Sequence, residues 1–217
     1  MTAESDENAT MPRETLASIA QRHGTDKVRY CNTYERYLGP LRDQPVRLFE
    51  IGVGGYSDPA AGGASVRTWK EYFPQGVVYA LDYYDKSAHE EERIRIFRGS
   101  QTDPDVLHRI RAEMERMDIV LDDGSHRSPD VIASFEILFP LLAPGGLYIV
   151  EDLGTSYWTS YGGSEDLLEP STSVSYFKRL VDGLQSASFR HSYVPSYADL
   201  NAAFVHFYPN LVIIRKK

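Results

Sequence analysis

The strongest constraint on the fold is a series of short apolar runs, each of which closes on glycine or on an acid. Val46-Arg47-Leu48-Phe49-Glu50-Ile51 leads into Gly52, and Val77-Val78-Tyr79-Ala80-Leu81 leads into Asp82. Asp118-Ile119-Val120-Leu121 ends in Asp122-Asp123, and Gly146-Leu147-Tyr148-Ile149-Val150 ends in Glu151-Asp152. Arg95-Ile96-Phe97 is a weaker member of the set. Near-continuous apolar runs of this length belong to strands covered on both faces. Repeated with crossover stretches between them, they predict a mostly parallel sheet flanked by helices.

The stretches between carry helix signals. Asp103-Pro104 begins a helix that reaches about Arg116, with the proline in its first turn. Ser128-Pro129 begins another, whose apolar positions Val131, Ile132, Phe135, Leu138 and Phe139 follow helical spacing until Ala143-Pro144-Gly145-Gly146 closes it. The C-terminal part differs: 203–208, a Pro209-Asn210 turn and 211–215 read as a hairpin. A parallel sheet finished by an antiparallel hairpin resembles the class I S-adenosylmethionine (SAM) methyltransferase arrangement, although hairpin-terminated sheets occur elsewhere too.

Composition narrows the classes. The 217 residues are 42% hydrophobic, enough for one globular domain with a substantial core. Lys and Arg total 23 against 31 Asp and Glu, a formal net charge of -8, which speaks against nucleic acid and against an anionic membrane surface as partners. Cys31 is the single cysteine, so neither a disulfide framework nor a thiolate metal cluster is expected. The polar, acidic start is not a signal peptide, and residues 1–14 are expected to be a disordered tail before a single domain at 15–217. Pro140, Pro144, Gly145 and Gly146 break the longest apolar stretch, so a cytoplasmic protein is the expectation.

Open α/β sheets bind ligands beyond the carboxyl ends of their strands. The first strand ends Glu50-Ile51-Gly52-Val53-Gly54-Gly55, and Gly52 and Gly54 let backbone approach a ligand closely. Asp82 ends the second strand, where a carboxylate can accept both hydroxyls of a ribose. The dinucleotide pattern G-x-G-x-x-G fails, because Ser57 stands at the third glycine and Pro59 and Gly62-Gly63 prolong the loop. A nucleoside-type cofactor without a pyrophosphate tolerates that departure. The plainer alternative is a tight strand-to-helix turn.

The fourth strand ends Asp122-Asp123-Gly124-Ser125-His126 and the fifth Glu151-Asp152. Carboxylates gathered at adjacent strand ends raise each other's pKa unless a cation compensates them, and hard oxygen donors select Mg²⁺ or Ca²⁺. Capping of the following helices is the alternative. His126, three residues past Asp123, has an unperturbed pKa near ~6.5 and can act as a general base. A metal would lower the pKa of a substrate hydroxyl.

Taken together, His23-Gly24-Thr25-Asp26-Lys27, the 50–55 loop, Gly99-Ser100-Gln101, 122–126, Glu151-Asp152-Leu153, Thr155-Ser156-Tyr157-Trp158 and Tyr161-Gly162-Gly163 resemble the mycinamicin-type macrolide sugar (rhamnosyl) O-methyltransferases over roughly Arg22 to Leu184. The resemblance implies a Rossmann-like, mostly parallel seven-stranded sheet, SAM and Mg²⁺ as cofactors, and a glycosylated natural product as the acceptor. It implies that Asp123, Glu151 and Asp152 hold the metal and that His126 is the base. Ser100 and Gln101 would lie near the adenine, and Glu50, Gly52, Gly54, Asp82 and Asp122 complete the candidate cofactor site. Catechol O-methyltransferase is similar at the same places. Enzymes of the macrolide type carry a large extra N-terminal domain with no counterpart in these residues, which leaves acceptor and homo-oligomeric state open. Residues 155–175 are expected to form a lid, and His23–Lys27 with Tyr30–Tyr37 a second pocket wall. A catechol or phenol acceptor, a catalytically silent SAM-binding partner subunit and a metal-dependent hydrolase are the competing readings.

Overall fold

The computed structural model describes residues 13–217; residues 1–12 of the expected tail lie outside the described residues. Arg13 and Glu14, also expected in the tail, are tied down by ion pairs to Asp43 and Arg22. Seven strands form one sheet: β1 (Arg47–Ile51), β2 (Val77–Asp82), β3 (Ile94–Arg98), β4 (Ile119–Asp122), β5 (Leu147–Glu151), β6 (Ala202–Tyr208) and β7 (Leu211–Lys216). Their order is β3-β2-β1-β4-β5-β7-β6, with β1 to β5 parallel and β7 antiparallel to both of its neighbours. The hairpin expectation therefore holds: β6 and β7 finish the sheet, with β7 against β5 and β6 at the edge.

The helices are α1 (Leu16–His23), α2 (Cys31–Leu38), α3 (Ala64–Tyr72), α4 (Pro104–Met114), α5 (Ser128–Leu141), α6 (Ser173–Gly183) and α7 (Tyr197–Asn201). At the start of α4, Asp103 accepts from the amides of Asp105 and Val106, satisfying two donors the first turn leaves free. Strand alternation feeds two cores. Leu48, Leu121, Ile149 and Ile213 pack with Leu16, Tyr34 and Trp69 from α1 to α3, while Phe49, Val120, Tyr148 and Val212 pack with Ile110, Phe135 and Phe177 from α4 to α6. Each fully buried aliphatic or aromatic side chain contributes roughly 1.5–3 kcal/mol by leaving water. No described helix is long and apolar enough to cross a membrane.

The order reverses between β2-β1 and β4-β5, so chain leaves the sheet in opposite directions at the β1/β4 border and opens a crevice there. The 155–175 segment is more tightly built than an open loop: 3₁₀ turns at Leu153–Tyr157 and Thr159–Tyr161 precede α6, and Ser156 Oγ hydrogen-bonds Ser173 Oγ at 2.7 Å.

Candidate active site

A cleft of about 1060 Å³ lies beyond the carboxyl ends of β1, β2, β4 and β5. Gly52, at φ 96°, makes its floor possible: a Cβ there would fall on the carbonyl of Asp123, so only glycine lets the β1 and β4 loops touch. Asp82 accepts from Val53 N and Tyr84 N, both at 2.9 Å, which pins the glycine loop beside the second strand's end. Gly54, Ser100 and Gln101 join Gly52 and Asp82 in the cleft wall, as the sequence leads one to expect.

Strand alternation separates the acids that a linear reading groups together. Asp122 turns to the α5 side and is sealed there, its carboxylate accepting from Ser134 Oγ at 2.6 Å and from Gln101 Nε2 at 3.3 Å. Burial pushes Asp122 up to about 6, against the pull of its Ser134 and Gly124 hydrogen bonds. Glu50 and Glu151 turn to the opposite side, towards α3 and α2, where Ser65 Oγ and the Tyr34 hydroxyl donate to them, and are also closed off from solvent. None of Glu50, Asp122 and Glu151 reaches the cleft wall, so of the three expected metal ligands only Asp123 and Asp152 line it. Asp122 instead props Gln101, whose Oε1 accepts from Ser125 N at 2.8 Å and so holds the loop carrying His126.

The compensating cation among these acids is a lysine. Lys27 Nζ, 1% exposed, lies 2.6 Å from Asp123 Oδ2, 2.9 Å from Glu151 Oε1 and 3.3 Å from Glu50 Oε1. Burial opposes its charge, but attraction from Glu151, Asp123 and Glu50 outweighs that and pushes its pKa well above the ordinary lysine value. Burial pushes both glutamates upward against the same lysine. Glu151 Oε1 also accepts from the Tyr34 hydroxyl, and its Oε2 has no hydrogen-bond partner among the described residues.

Asp123, His126 and Asp152 remain at the cleft. One ligand atom from each lies within 4.8 Å of the others, and His126 Nε2 is 3.9 Å from Asp152 Oδ2. Both His126 (φ 57°) and Asp152 (φ 53°) sit in the left-handed region. For non-glycine residues that costs on the order of 1–3 kcal/mol each, and such strain concentrates where side chains must be aimed. Thr155 Oγ1 donates to the His126 carbonyl at 2.8 Å, coupling the expected lid to the histidine loop. On the other side, Tyr30 and Asn210 hold Asp152.

Sequence reasoning placed His23–Lys27 and Tyr30–Tyr37 in a pocket wall without identifying Lys27, Tyr34 or Tyr30 as partners of the acids. It gave Asn210 no role beyond the turn. The spacing of the acids was a sufficient signal that a cation stands among them, though not that a side chain supplies it.

No protein-family model matches the chain. It is 47% identical over 207 residues to the 8-demethyl-8-alpha-L-rhamnosyl tetracenomycin-C 2'-O-methyltransferase of Streptomyces olivaceus, covering 93% of this chain and 54% of that protein. It is 41% identical over 208 residues to the mycinamicin VI 2''-O-methyltransferase of Micromonospora griseorubida, covering 93% of this chain and 52% of that protein. The MycE methyltransferase, solved with Mg, S-adenosylhomocysteine (SAH) and mycinamycin VI, superposes with a TM-score of 0.90 at 41% identity over 94% of this chain and 54% of that one. The chain thus spans about half the length of these relatives. A Bacillus cereus O-methyltransferase solved with SAH, 17% identical, superposes with a TM-score of 0.52 over 96% of this chain and 94% of that one, a likeness of fold. Over nine-tenths of its length, the chain is a homologue of sugar O-methyltransferases from antibiotic pathways, carried on the class I SAM-dependent methyltransferase fold.

Proposed function

We propose that the chain is a cytoplasmic O-methyltransferase that moves the methyl group of SAM to a hydroxyl of a sugar on a bacterial natural product, with Mg²⁺. The observation that carries this reading is the meeting of Asp123, His126 and Asp152 in the same cleft as the Gly52 loop and Asp82. The donor set suits a hard divalent cation: Asp123 and Asp152 are half-buried carboxylates at the cleft with His126 within reach, and Asp123 Oδ1 and Asp152 Oδ2 are the oxygens that no hydrogen bond among the described residues takes up. At about 1060 Å³ the cleft has room for a nucleoside-bearing donor together with an acceptor.

When bound, SAM supplies the methyl group and the cation lowers the pKa of the acceptor hydroxyl. The residues of this chain do the rest. Asp82 receives the ribose hydroxyls, while Gly52 and Gly54 let the donor lie against backbone. His126 Nε2 takes the hydroxyl proton as the acceptor oxygen attacks the methyl carbon and the carbon–sulfur bond breaks, leaving SAH. Lys27 offsets the charge of Glu50 and Glu151 within the protein.

The test is methyl transfer from SAM to a panel of rhamnosylated polyketides and catechols, with EDTA and with Mg²⁺ restored. Transfer to a sugar hydroxyl that EDTA abolishes and Mg²⁺ restores is expected. Preferential methylation of catechols would move the acceptor class to phenols, and full activity in EDTA would remove the metal from the mechanism.

A further inference from the structure

The turn of the C-terminal hairpin lies beside the acid cluster. Glu151 pairs with Leu211 across β5 and β7, so one step further along the two strands brings Asp152 opposite Asn210. There Asn210 Nδ2 donates to Asp152 Oδ1 at 2.7 Å and to the Tyr30 hydroxyl at 2.9 Å. The Tyr30 hydroxyl in turn donates to Asp152 Oδ1 at 3.0 Å. Asn210 Oδ1 accepts from Gly154 N at 2.6 Å. A carboxylate only accepts and a backbone N–H only donates, so both ends of the amide are committed and its orientation is fixed.

The backbone of Asn210 sits at φ 63°, where glycine is the least strained residue and asparagine is tolerated. A turn needing only its shape would be served by glycine; this one carries an amide whose polar atoms all meet the residues around Asp152. The effect is to divide the Asp152 carboxylate. Oδ1 is held by Asn210 and Tyr30, and Oδ2 is left facing His126 and the cleft.

We propose that Asn210 is a positioning residue for the metal site: it fixes Asp152 so that one oxygen is presented to the cation. The inference rests on the reading of Asp152 as a metal ligand. Hydrogen bonds that orient a ligating carboxylate typically contribute about 10–100-fold in metal affinity.

Asn210→Gly removes the amide while suiting the left-handed backbone, and Mn²⁺ is the probe, its binding to the full chain read by electron paramagnetic resonance. The expected result is Mn²⁺ affinity about 10–100-fold weaker, with SAH affinity unchanged, because the Asn210 side chain bonds Asp152, Tyr30 and Gly154 and neither Asp82 nor the glycine loop. Unchanged Mn²⁺ affinity overturns the proposal. So does a parallel loss of SAH binding, which would mark a general loosening of the fold. A wild-type chain that binds no Mn²⁺ overturns the metal reading itself. The orienting role is then decided by a crystal structure of Asn210→Gly: a turned Asp152 carboxylate supports it, and an unmoved one overturns it.

Discussion

Lys27 and Glu151 meet at 2.9 Å across 124 positions of chain, both sealed from solvent. The contact joins the segment before α2 to the end of β5, and the same ammonium reaches Asp123 and Glu50. Removing the cation from such a group leaves buried charge uncompensated. Lys27→Met is therefore expected to destabilise the chain by about 3–5 kcal/mol. Glu151→Gln, added to it, should restore part of the loss, because coupled partners are not additive. Urea denaturation of the single and double variants measures both, and a Lys27→Met midpoint equal to wild type would sink the idea.

His126 combines a strained backbone with the proposed proton acceptor, which sets stability against activity at one position. His126→Gly relieves the left-handed strain, so a gain on the order of 1 kcal/mol in stability is expected. Turnover should fall by about 10²–10⁴-fold, the scale of a lost general base. SAH affinity should stay the same. A variant that is more stable and still turns over normally on its acceptor would reduce His126 to a structural role.

Asp122 gives the stability a pH dependence of predictable sign. Burial raises its folded pKa to about 6, above the ordinary ~3.9 of an unfolded aspartate. Between those values the folded chain holds a proton that the unfolded chain has released, so stability falls as pH rises. The contribution is fully present below about pH 4 and is lost through about pH 6, roughly 2–3 kcal/mol in all. Asp122→Asn should flatten that portion of the curve. Parallel stability curves for wild type and variant from pH 4 to 7 would contradict it.

Much of the architecture was legible because buried parallel strands write themselves as unbroken apolar runs. β1, β2, β4 and β5 lie where those runs stand, and Asp82, Asp123, His126 and Asp152 reach the cleft from the strand ends. The insertion of β7 beside β5 was not legible, since strand order follows from packing between distant segments. Glu50 and Asp122 were grouped with the cofactor site by their position along the chain. The two-residue period that sends Phe49 and Val120 to one core and Leu48 and Leu121 to the other also sends these carboxylates inward. Lys27 lies 96 positions from Asp123, and no local pattern marks a lysine for burial at that distance.

The insertion of β7 between β5 and β6 also sets an order of events during synthesis. β5 pairs on one side with β4, already made, but its other neighbour emerges only after α6, α7 and β6. Asn210 precedes β7 immediately, so the hold on Asp152 can form only after β6 has been made. Until β7 is made, β5 is an edge strand, a surface open to mispairing. A chain that stalls before β7 carries Asp123, His126 and Asp152 and still lacks the strand that covers the free edge of β5.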